Sequence, residues 1–104
     1  MSVSRLEILK QLLSQNPKDS FARYGAAMEL VREGDFERAA AEFSALIEND
    51  AGYIAAYFHG GQALEKLGRM DEARAMYTAG VEVCTRAGNV HARSGMQAAL
   101  DLLG

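Results

Sequence analysis

An all-α fold is what this sequence predicts, and three observations carry the prediction. Forty-nine per cent of the 104 residues are hydrophobic, yet alanine is abundant, tryptophan is absent and proline occurs once. That usage suits close-packed helices better than sheets, whose strands favour aromatic and β-branched side chains. Apolar residues recur three and four positions apart in segments separated by Gly, Asp, Asn and Pro, the pattern of amphipathic helices with turns between them. Finally, Leu30 and Leu64, Gly34 and Gly68, Ala39 and Ala73, and Phe43 and Tyr77 are each 34 positions apart, so one structural unit is repeated.

The chain is long enough for one domain that buries roughly two thirds of its unfolded surface, with no need for metals or disulfides. Its formal net charge of −3 supplies no basic face for a phosphate backbone, so nucleic acid is not an expected partner. Cys84 is the only cysteine, which excludes an intramolecular disulfide. With no signal-like segment at the N-terminus, a reducing cytoplasm is the expected location. No apolar run is long enough to span a membrane.

The elements follow in order. Ser4 and Glu7 form a capping box for a first helix, with Val3 placed to staple onto Ile8. Leu6, Leu9, Leu12 and Leu13 make one apolar stripe along it, and Asn16-Pro17 ends it because the residue before proline avoids the α region. A second helix is expected over 20–33, capped by Asp19 and closed by Gly34; Asp35 then caps a third over 36–49. The third should turn Phe36, Ala39, Ala40, Phe43, Leu46 and Ile47 inward and Glu37, Arg38 and Glu42 outward. After Asp50-Ala51-Gly52 the unit begins again, with a fourth helix over 53–67 ending at Gly68 and a fifth over 70–87 ending at Gly88. Asn89 caps a sixth that runs through Leu103.

Thirty-four residues per helical hairpin, with small and aromatic residues at fixed slots, resembles the tetratricopeptide repeat family. In 54–87 Tyr57 takes the aromatic slot, Gly61 the glycine, Leu64 the tyrosine, Ala73 the alanine and Tyr77 the phenylalanine. In 20–53 the matches are Ala27, Leu30, Ala39 and Phe43, and Pro17 falls in the proline slot that closes a unit. Four departures stand out: Arg23 fills an aromatic slot, Ala26 and Gly60 replace leucine, and Gly80 lies mid-helix. The resemblance implies a right-handed superhelical stack of hairpins in a single domain, 1–104. Its parts would be an N-terminal half-repeat helix (1–17), repeats over 20–53 and 54–87, and a C-terminal capping helix (89–104) with Gly95 in the next glycine slot.

The resemblance also implies a function: the first helix of each hairpin lines a concave groove that binds an extended peptide or a partner helix. The groove-facing slots hold Tyr24, Met28 and Arg32, then Phe58, His59, Gln62 and Lys66, then Arg93 and Met96. Aromatic and methionine side chains there would anchor a partner, although the same spacing also describes residues packed between helices. Only Arg93 agrees with the family's clamp for chaperone C-termini, so that specificity is not expected. The expected role is a protein-interaction module, the alternative a module joining two copies of the chain. Catalysis is not expected, because Cys84, His59 and His91 have neither an acidic orienter at a telling spacing nor a metal-site pattern. No cofactor is implied.

Overall fold

A computed structural model describes residues 3–104. Six helices follow one another: α1 (Arg5–Gln15), α2 (Ser20–Arg32), α3 (Phe36–Asn49), α4 (Ile54–Lys66), α5 (Met70–Ala87) and α6 (Val90–Leu103). Each packs against the next in sequence, which makes a slab of 46 × 28 × 19 Å. Among the described residues no helix is long and apolar enough to cross a membrane.

The helix starts are set by short polar side chains. Ser4, Asp19, Asp35 and Asn89 each accept a hydrogen bond from the backbone N–H three residues on, at 3.0–3.2 Å, satisfying a donor that the first turn leaves free. The hairpins close alike. Gly34 and Gly68 adopt φ of 78° and 76°, the left-handed conformation that a Cβ disfavours. The amides of Asp35 and Arg69 then donate to the carbonyls of Leu30 and Leu64 at 2.9 Å, as a Schellman turn requires.

The core runs along the stack in two adjoining clusters. Phe43, Leu30, Leu46, Ala27 and Ala39 centre the first, with Leu6 and Leu9 from α1; Tyr77, Tyr57, Ala73, Cys84 and Met96 centre the second. Small residues set the spacing. A Cβ on Gly61 would lie 2.6 Å from Cζ of Tyr77, and one on Gly80 would lie 2.8 Å from Cβ of Tyr57 and overlap the Met96 sulfur. A Cβ on Gly60 would lie 3.2 Å from Cβ of Phe43. All three glycines are therefore sites of close helix approach, which offsets their intrinsic cost of about 0.5–1 kcal/mol in a helix interior.

The departure at Arg23 has a structural reason. Tyr57 donates its hydroxyl to the carbonyl of Ala51 at 2.6 Å, and Arg23 donates to the carbonyl of Pro17 at 3.0 Å, each reaching six residues back into the preceding turn. Arg23 also pairs with Glu42 at 2.9 Å, so Glu42, expected to face outward, is partly covered between α2 and α3. The α1 stripe needs a correction as well. Leu12 is 45% exposed whereas Leu46, one period on, is 1% exposed, because Leu46 has α2 beside it and among the described residues no helix takes that place against α1. Val3 and Ile8, expected to staple, both remain about half exposed.

Candidate functional site

The expected groove residues fall into three groups. Tyr24, Met28, Phe58 and His59 are half-buried and wedge between helices. The Tyr24 ring lies 5.3 Å from that of Tyr53, 6.4 Å from Phe43 and 6.0 Å from His59; His59 in turn lies 5.5 Å from Phe58, edge to face. Phe58 continues to Tyr77 at 6.3 Å. One contiguous aromatic seam thus joins α2 to α4, and such tilted pairs contribute about 0.5–1.5 kcal/mol each beyond the area they bury.

Beside the seam, Arg32, Gln62 and Lys66 are exposed. His59, Gln62 and Lys66 line a cleft of about 250 Å³ with Val31, Phe36, Ala63 and Glu65. Tyr24, Met28 and Arg32 line another of about 250 Å³ with Arg5, Phe21, Gly25 and Glu29. Burial pushes the His59 imidazole below its usual pKa, and the adjacent Gln62 side chain opposes that shift. His59 is therefore held toward its neutral form within the aromatic seam.

Two expected residues line neither of these clefts. Met96 is 1% exposed, its sulfur filling the space that Gly80 leaves open, so it holds α6 to α5 and offers nothing to a partner. The physical reason is the glycine, since a larger residue at position 80 would displace that side chain outward. Arg93 is exposed, but the depression it lines, with Val90, Ser94, Gln97, Ala98 and Asp101, is formed by α6 alone.

A larger cleft, of about 460 Å³, lies between α3 and α5 and was not anticipated. Ala40, Ala41, Ser44 and Ile47 face Ala75, Met76 and Ala79 across a floor of Tyr57 and Leu64, and Arg69 closes one end, paired with Glu37 and Glu72. Its sequence signal was present in Ala41 and Ala75, one period apart and outside the packing pattern. Cys84 is buried and its thiol pKa is raised by that burial, the opposite of what a nucleophilic cysteine requires. Among the described residues no group of three or more His, Cys, Asp or Glu side chains is placed to hold a metal ion.

The tetratricopeptide repeat family model matches residues 6–53 and 24–89. The solution structure of a tetratricopeptide repeat domain protein from Salinibacter ruber is similar at 35% identity and a TM-score of 0.79, covering 85% of this chain and 89% of that one. A crystal structure of a tetratricopeptide repeat domain protein from the same organism is similar at 35% identity and a TM-score of 0.76, covering 82% of this chain and 94% of that one. The solution structure of a protein from Bordetella parapertussis, 20% identical, covers 98% of this chain and 89% of its own, with a TM-score of 0.83 that shows the shared fold alone. Comparison with curated proteins gives no match.

Proposed function

The chain belongs to the tetratricopeptide repeat family, which commonly mediates protein–protein interaction, and from that premise we propose a non-enzymatic module that binds a peptide or partner helix across α2 and α4. The observation that carries this reading is the half-buried aromatic seam of Tyr24, His59 and Phe58, bordered by exposed Arg32, Gln62 and Lys66. A seam already held by the core loses little side-chain entropy when a ligand covers it, and the polar border supplies orientation. Met96 has no part in this surface, and Arg93 belongs to it only through the repeat register.

Because the seam also supports the fold, the border is the place to test it. Arg32→Glu with Lys66→Glu should keep the helical signal and abolish capture of the partner from the source cell by the full chain. Capture undiminished by the double variant would overturn the reading.

A second reading has an observation of its own. Val3, Ile8 and Leu12 are 52%, 48% and 45% exposed on or beside α1, an apolar strip suited to joining two copies. Light scattering over a concentration series would then show a dimer that Ile8→Lys dissociates. A monomer at every concentration rejects it.

A further inference from the structure

The cleft between α1 and α2 holds an uncompensated positive charge beside an apolar wall. Arg5 Nε lies 3.1 Å and Arg32 Nη1 3.5 Å from the same oxygen of Glu29. The two cationic side chains are 68% and 71% exposed, whereas the Glu29 side chain is 14% exposed. The carboxylate is thus sunk beneath two guanidinium groups, and the charge presented to solvent is positive. Arg5, Arg32 and Glu29 are the charged residues lining the cleft, so its local sum is one excess positive charge. Each guanidinium carries five N–H donors in a planar fork, and a single shared acceptor leaves most of them available.

The wall beside these donors is apolar. Phe21 is 75% exposed, and Tyr24 and Met28 are half-buried next to it. Gly25 forms the base, where a Cβ would come within 3.2 Å of a Leu9 methyl group. One period on, a cleft of similar volume recurs at His59, Gln62, Ala63 and Lys66, but Ala39 and Ala55 stand there for Arg5 and Phe21, so the paired guanidinium groups and the exposed aromatic wall are peculiar to this one.

We infer that this cleft is a recognition point for a peptide in which an apolar side chain adjoins a carboxylate: Phe21, Tyr24 and Met28 take the apolar group, while Arg5 and Arg32 take the charge. The inference rests on the interaction reading above and names the chemistry at one end of that surface. A carboxylate matches the planar fork in two-point geometry, and a charge-assisted hydrogen bond is about twice as strong as a neutral one. Because both guanidinium groups are exposed, binding should weaken as salt is raised.

The test uses the full chain, labelled with nitrogen-15, and two probes that differ only in charge: N-acetyl-Phe-Asp-amide and N-acetyl-Phe-Asn-amide. The aspartyl probe is expected to shift the Gly25 amide and the Arg5 and Arg32 Nε–H signals saturably. The asparaginyl probe, and the aspartyl probe on Arg32→Gln, should bind at least tenfold more weakly. Glu29→Gln, which removes the internal competitor, should tighten binding of the aspartyl probe. Equal binding of the two probes, shifts confined to other helices, or no shift at all would overturn the inference. Such a failure is separable from that of the interaction reading by cellular capture with Lys66→Glu alone, which leaves Arg5 and Arg32 in place and should still weaken capture if that reading holds.

Discussion

At the scale of single residues, the glycines separate packing from mere tolerance. Gly61 and Gly95 occupy the same repeat slot, yet a Cβ on Gly61 would meet the Tyr77 ring and one on Gly95 would meet nothing within 4 Å. Gly61→Ala should therefore destabilise the chain by about 1–3 kcal/mol through overpacking, despite alanine's better helix propensity. Gly95→Ala should stabilise it by about 0.5–1 kcal/mol. Urea unfolding of the two variants checks both signs. The sequence pattern placed glycine in both slots; it could not distinguish them, because the distinction depends on whether a following helix packs over the slot.

His59 gives a second residue-scale prediction. Its pKa is lowered in the fold by burial, so near and below the ordinary value of 6.5 the unfolded chain takes up a proton more readily than the folded one. The stability that His59 contributes in its neutral form is complete above that pH and is lost as pH falls from 6.5 toward the folded value. Unfolding free energy measured in urea should accordingly drop between about pH 7.5 and about pH 5.5. A His59→Gln variant should lose less over the same interval, and an equal loss would remove His59 as the cause. Read as a departure from the aromatic slot, Arg23 reaches the turn carbonyl that Tyr57 reaches one period later. Side-chain type alone concealed that equivalence of role, since the two share a reach and a donor but no shape.

At the scale of the element, the helices were legible almost to the residue because their boundaries are chemical. Asp19, Asp35 and Asn89 cap, Gly34 and Gly68 terminate, and the third and fifth helices run from Phe36 to Asn49 and from Met70 to Ala87 as their signals predict. What periodicity did not reveal was the condition of the end helices. Spacing points Leu12 inward, yet it is exposed; the repeat register points Met96 outward, yet it is buried. The two differ in origin: among the described residues α1 packs principally on α2 and lacks the neighbour that covers Leu46, whereas Met96 is taken into the space that Gly80 leaves open between α5 and α6. The inner helices α3 and α4 each pack on two neighbours. Amide hydrogen exchange should therefore be fastest in α1 and α6 and slowest in α3 and α4, because an end helix can detach while breaking a single interface. Uniform protection across all six helices would contradict this ordering.

At the scale of the whole molecule, the residues that identify the family and those proposed for recognition lie on the same helices but make different contacts. Tyr57, Gly61 and Leu64 are buried in the stack, while Gln62 and Lys66, one and five residues beyond Gly61, are open to solvent. The period made the first set legible because packing must recur from unit to unit. Recognition need not recur: the cleft at Arg5, Phe21 and Arg32 has a counterpart one period later at His59, Gln62 and Lys66, but Ala39 and Ala55 there replace Arg5 and Phe21. The long apolar cleft between α3 and α5 was likewise invisible to a pattern built from core positions. The central claim, that the surface across α2 and α4 is where a partner binds, is tested most directly by hydrogen exchange of the full chain with and without its captured partner. New protection is predicted over 21–32 and 58–66; protection confined to α1, or to the α3 and α5 walls, would contradict it.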